Sequence, residues 1–163
     1  MHKTIIILGC VLICFSSCYS FKGGSIPPEV KSVNIQNFGN VSENGNTALS
    51  QAITDILKDK FLSETRLVFE YNADWNFEGN VTAYRLSNTT PSGTETAAQS
   101  RLTITVKVKF SDKLTPENNW QQDFSAFADY ENTQVLADVE EDLLKIINNQ
   151  IVVDIFNKAT ANW

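Results

Sequence analysis

The stretch Arg101-Leu102-Thr103-Ile104-Thr105-Val106-Lys107-Val108-Lys109-Phe110-Ser111-Asp112 decides the fold. Leu102, Ile104, Val106, Val108 and Phe110 alternate with Arg101, Thr103, Thr105, Lys107 and Lys109. A period of two places one set on a buried face of a strand and the other on the opposite face.

Working outward, two further stretches share this period. Trp75 to Ser87 presents Trp75, Phe77, Gly79, Val81 and Ala83 on one face; Trp120 to Tyr130 presents Trp120, Phe124, Ala126 and Ala128. Asn88 to Ser100, rich in Thr and Ser with Pro91 and Gly93, reads as a hairpin tip, and Leu114 to Asn119, with Pro116, reads as a turn. Arg66 to Tyr71 is a short apolar strand, and Val30 to Phe38 is another, built on Val33 and Ile35. Gly39 to Gly45 is a polar break.

Two segments carry helical spacing instead. Asn46 or Thr47 caps a helix running to about Leu62, with Leu49, Ile53, Ile56, Leu57 and Phe61 as its apolar stripe. From about Thr133 to about Lys158 the stripe is Leu136, Val139, Leu143, Ile146, Ile147, Ile151 and Ile155. The expected fold is α+β: one mixed or antiparallel sheet of about four to five strands, with two helices packed on one face, in the order β-α-β-β-β-α.

The N-terminus carries a different kind of signal. Lys3 precedes an apolar run from Ile5 to Phe15, followed by Ser16 and Ser17 directly before Cys18. A basic start, a short apolar core and a small-residue exit form an export signal. The run is too short to span a bilayer, which takes roughly 20 apolar residues. A cysteine just after the small pair is the bacterial lipoprotein pattern, with cleavage before Cys18 and lipid on its thiol and new amino group. Each buried methylene contributes about 0.8 kcal/mol and one chain holds only marginally, so a triacylated cysteine would anchor the chain durably. The expected organisation is a signal peptide over 1–17, a lipidated tether over 18–29 and a single α+β domain over 30–163. Gly23, Gly24, Pro27 and Pro28 keep the tether out of helix.

Composition narrows the function. Without residues 1–17 the chain keeps 12 basic and 19 acidic residues, a formal charge of −7. That balance argues against nucleic-acid binding, which depends on basic patches meeting phosphates. All three cysteines fall between Cys10 and Cys18, and the single histidine is His2. A chain beginning at Cys18 therefore has no disulfide, no Cys-ligated zinc, no His-ligated metal and no Ser-His-Asp or Cys-His centre. The expectation is a protein that is not an enzyme and uses no cofactor.

Three groups could still carry function. Glu140, Glu141 and Asp142 are adjacent on a helix and so point apart, which suits a solvated helix start near the positive end of the dipole better than acid–base catalysis. Trp75, Phe77, Trp120 and Phe124 fall at core positions, while Phe127 falls on the face opposite Phe124. Arg101, Lys107 and Lys109, with Thr103 and Thr105, form a polar cationic strand face. That face suits either solvent, since strand lysines discourage edge aggregation, or an anionic ligand such as lipid phosphate.

The chain also resembles a known family. Tyr19-Ser20-Phe21 follows the lipoprotein cysteine; then come Lys22-Gly23-Gly24-Ser25-Ile26-Pro27-Pro28-Glu29-Val30-Lys31-Ser32-Val33-Asn34-Ile35 and Asn37-Phe38. Asp154-Ile155-Phe156-Asn157-Lys158-Ala159 and Asn162-Trp163 stand near the end. These stretches are similar to the lipopolysaccharide-assembly lipoprotein family (LptE) in its Bacteroidota form. The resemblance implies a non-enzymatic lipoprotein of the outer membrane, facing the periplasm. It implies an LptD-type β-barrel translocon as partner, which the protein plugs and helps assemble, and lipopolysaccharide as the cargo. The competing class is a lipoprotein adaptor for another envelope machine, such as a cell-wall synthase activator or a secretin pilot.

Overall fold

The computed structural model describes residues 26–43, 47–89 and 99–161. The elements are β1 (Ser32–Ile35), β2 (Gly39–Asn40), α1 (Thr47–Glu64), β3 (Val68–Phe69), β4 (Trp75–Thr89), β5 (Gln99–Asp112), a short 3-10 turn (Pro116–Asn118), β6 (Trp120–Glu131) and α2 (Leu136–Thr160). This is the expected α+β architecture, with a sheet of six strands.

The sheet order is β3-β1-β4-β5-β6, with β2 also on β4. The long strands β4, β5 and β6 are antiparallel. The short strands are parallel: β1 pairs with both β3 and β4, and β2 with β4. Gly39 and Asn40, read from sequence as part of a polar break, are therefore strand. They continue the edge that β1 leaves, with Gly39 opposite Asn80 and Asn40 opposite Val81. Two residues carry too little pattern to announce a strand; the β4 ladder supplies it.

The alternation of β5 holds throughout: Leu102, Ile104, Val106, Val108 and Phe110 are buried. That of β4 does not. A bulge between Val81 and Ala83 inserts Thr82. An extra residue reverses the facing of everything beyond it. Ala83, expected on the core face, lies opposite Thr105, whereas Tyr84 and Leu86 lie opposite Ile104 and Leu102.

The buried sheet face is an aromatic layer. Trp75 meets Phe110 at 5.3 Å between ring centroids, Phe77 meets Phe110 at 5.0 Å, and Phe61 of α1 meets Phe77 at 5.2 Å and Phe156 of α2 at 4.9 Å. Tilted and edge-on rings at these separations are favourable beyond their area. The Trp75 indole donates to buried Asp112 at 3.1 Å, and Asp112 also caps the following turn by accepting from Leu114 and Thr115 N–H at 2.8 and 3.0 Å. Leu49, Ile53, Leu57 and Phe61 of α1 are buried as their spacing predicts.

In α2 the buried positions form two adjacent rows, Leu143-Ile147-Ile151-Ile155-Ala159 and Asn148-Val152-Phe156-Thr160. Ile146, expected in the stripe, is 59% exposed. The helix packs on both β6 and α1. Its centre of contact is thereby turned toward Asn148 and Val152, which swings Ile146 outward. Ile26 also packs on the core, so the last part of the expected tether lies against the domain. Among the described residues no helix is long and apolar enough to cross a membrane.

Candidate functional site

The face of the sheet opposite the helices is built by three strands in register. β5 contributes Arg101, Thr103, Thr105, Lys107 and Lys109. Opposite them stand Asn80 and Glu78 of β4, and Gln121, Asp123, Ser125, Phe127 and Asp129 of β6. The structure thus brings Arg101, Lys107 and Lys109 onto one face and gives each a carboxylate neighbour. Lys107 Nζ lies 4.0 Å from Asp123, and Lys109 Nζ lies 3.6 Å from Glu78; both pairs are about half exposed. Exposed pairs this loose contribute little to stability, so both ammonium groups can exchange partners at small cost.

Arg101 differs. Its Nε and one terminal nitrogen donate to the two Asp129 oxygens at 2.7 and 2.8 Å, and its guanidinium stacks 3.6 Å from the centre of the Phe127 ring. The fork geometry and the ring together fix its orientation. The Asp129 hydrogen bond raises the Arg101 pKa against a small opposing burial effect. The same bond holds the Asp129 carboxyl below the ordinary carboxylate range, outweighing the burial that pushes it up. Phe127, out of phase with the core aromatics, is indeed on this open face and 51% exposed.

The other sequence candidates separate. Glu140 accepts a 2.6 Å hydrogen bond from the Tyr84 hydroxyl, while Glu141 and Asp142 are exposed. Burial, and then that contact with Glu140, pushes the Tyr84 pKa far above its ordinary value. The three acids do not converge on one point, and the pairing of Tyr84 with Glu140 ties β4 to α2. Trp75, Phe77 and Phe124 are buried and Trp120 is partly buried in the core. Cys18 lies outside the described residues.

Sequence reasoning missed the carboxylates Glu78, Asp123 and Asp129 as partners. They sit 16 to 31 residues from their cations, and only the strand register places them opposite. It also missed an open groove of about 620 Å³ on the same face, toward β1, where Asn34, Gln36, Asn37, Asn72 and Asn76 gather around Tyr71. A second groove, of about 670 Å³, lies where Ile26, Pro27 and Pro28 meet the ends of α1 and α2 at Arg66 and Phe156.

Comparison with known proteins fixes the family. The model of the lipopolysaccharide-assembly family LptE matches residues 30–159, nearly the whole described domain. The chain belongs to the LptE family. A minor lipoprotein from Acinetobacter baumannii shares the fold at a TM-score of 0.53 and 15% identity, over 82% of this chain and 94% of that one. An uncharacterised lipoprotein B from Nitrosomonas europaea does so at 0.51 and 17%, over 85% and 86%. At these identities the likeness is one of fold. No curated protein matches the sequence. Membership of LptE places the chain among lipopolysaccharide-assembly proteins and agrees with the expectation that it is not an enzyme.

Proposed function

We propose that this protein is an outer-membrane lipoprotein, anchored through acylated Cys18, that plugs and helps assemble an LptD-type β-barrel translocon and aids insertion of lipopolysaccharide into the outer leaflet. The family match over residues 30–159 carries the reading. The open sheet face supports it: a barrel lumen is polar, and a plug must meet it with hydrogen-bonding groups rather than an apolar patch. Amides, hydroxyls and loosely paired charges alternate across β4, β5 and β6 in just that way.

Within this reading, Lys107 and Lys109 are the contacts for the anionic groups of lipopolysaccharide. Two residues apart on one strand, they project side by side about 7 Å apart, and both are half exposed. Arg101 completes the stripe but is the least available, being held by Asp129 and Phe127.

The deciding experiment is co-purification of the full chain from solubilised outer membranes. Recovery of a large β-barrel protein is expected. Recovery of a cell-wall synthase or a secretin in its place would overturn the reading in favour of an adaptor for another envelope machine. For the lipid contacts, the double variant Lys107→Glu, Lys109→Glu is expected to weaken lipopolysaccharide binding while leaving the fold intact; unchanged binding removes these two residues from the proposal.

A further inference from the structure

The groove around Tyr71 has a chemistry unlike that of the lysine stripe. Five carboxamides, from Asn34, Gln36, Asn37, Asn72 and Asn76, converge from β1, the link to β2, the turn before β4 and the start of β4. Most are held in place. Asn34 Nδ2 donates to the Tyr71 carbonyl at 3.2 Å and to Asn76 Oδ1 at 3.4 Å; Asn76 Nδ2 donates to the Ala73 carbonyl at 2.9 Å. Lys58 Nζ donates to Asn37 Oδ1 at 3.1 Å, and Lys113 Nζ to Asn72 Oδ1. With their oxygens engaged by lysines, Asn37 and Asn72 turn their Nδ2 donors the other way.

Beside them the Tyr71 ring is 95% exposed. It therefore covers no core of its own. The lining carries one carboxylate, Glu78, and one ammonium, Lys113, and Lys109 at the rim faces Glu78 at 3.6 Å. The ammonium groups of Lys58, Lys113 and Lys109 are each engaged, by Asn37, Asn72 and Glu78. A carboxamide is donor and acceptor at once, which matches a hydroxyl that is also both. A flat aromatic beside such groups offers a face to the C–H side of a sugar ring. The depression, about 620 Å³, is more open than enclosed, so a ligand would lie along it with one face in solvent.

We propose that this groove binds a saccharide, the core sugar chain of lipopolysaccharide, with Tyr71 as the stacking platform and the carboxamides of Asn34, Asn37, Asn72 and Asn76 as the hydroxyl partners. The inference rests on the lipopolysaccharide-assembly reading for the source of the sugar. It assigns the sugar and the anionic groups of one ligand to two separate places on the sheet.

The test uses the full chain in detergent and a core oligosaccharide stripped of acyl chains and phosphates. Binding is followed through the side-chain amide resonances of the asparagines. Those resonances should shift, with weak affinity reached by about 10 mM ligand, and Tyr71→Ala should weaken binding by about three- to tenfold. Because Tyr71 is exposed, the variant keeps its fold, which the remaining spectrum checks. Absence of shifts at these amides, or an unaffected Tyr71→Ala titration, would overturn the proposal. So would binding of a peptidoglycan glycan fragment in place of the core oligosaccharide. The barrel co-purification tests the underlying reading independently, so failure of the groove and failure of that reading are told apart.

Discussion

At the scale of single residues, two positions show how tightly distant chain segments depend on one another. Gly79 lies on the core-facing register of β4, opposite Val108. A Cβ there would sit 2.7 to 2.8 Å from the ring of buried Phe38. Gly79→Ala is therefore expected to displace that ring and lower the unfolding free energy in urea by about 1–3 kcal/mol. The alternation of β4 marks Gly79 as a core-side residue, but its reason for being glycine is Phe38, which sequence alone could not bring there. Asp74 is the second case. It accepts from the Lys31 and Ser32 N–H groups at 2.8 and 3.1 Å and from the Ser32 hydroxyl at 3.1 Å. The Lys31 bond leads in holding its carboxyl below the ordinary value of 3.8, against a partial opposing effect of burial. A depressed folded-state pKa stabilises the fold above the ordinary carboxylate range, and that stability is lost as pH falls through the folded pKa. Asp74→Asn should thus be less stable than the parent at pH 7, with the gap narrowing below about pH 4. A difference that stays constant down to pH 2 would show that charge is not what Asp74 contributes.

At the scale of elements, the long periodic segments were legible and the short or interrupted ones were not. β5 and both helices were readable because ten or more residues repeat one period. The bulge at Thr82 was not, because a single inserted residue leaves apolar residues on both sides of it, and only pairing with Thr105 and Val106 shows which face each takes. α2 holds the clearest opportunity for stabilisation. Asn148 is 3% exposed, and its side-chain oxygen has no hydrogen-bond partner among the described residues. An unsatisfied buried carbonyl costs about 1–3 kcal/mol. Asn148→Leu, which keeps the branching and the number of heavy atoms, is expected to raise the thermal midpoint by a few degrees, about 3–4 °C for each kcal/mol gained. A lowered midpoint in calorimetry would mean that the carboxamide is needed where it sits.

At the scale of the whole molecule, helices cover one sheet face and leave the other open. The proposed anchor at Cys18 makes a simple prediction there. Cys18→Ala should move the protein from the membrane fraction to the soluble fraction on cell fractionation, because removing the acyl chains removes the dominant apolar contact with the bilayer. Retention of the variant in membranes would shift the weight of attachment to the barrel partner. The candidate face was partly visible in advance. Arg101, Lys107 and Lys109 share a strand face by period alone, and Phe127 was out of phase with the core. Their carboxylates and the carboxamide groove were hidden, because strand register and parallel pairing across 36 or more residues bring them together.

The sequence by itself determined the long strands and both helices, the α+β class and the buried face of β5, since each is a local pattern of polarity read at a fixed period. Only the tertiary structure decided that the sheet is mixed, that β4 changes face at Thr82, that the cations of β5 are answered by acids on both neighbours, and that five amides meet at Tyr71. The physical reason is common to all four: they depend on which backbone groups hydrogen-bond across strands, and a one-residue change of register, invisible in composition, exchanges the two faces of a strand.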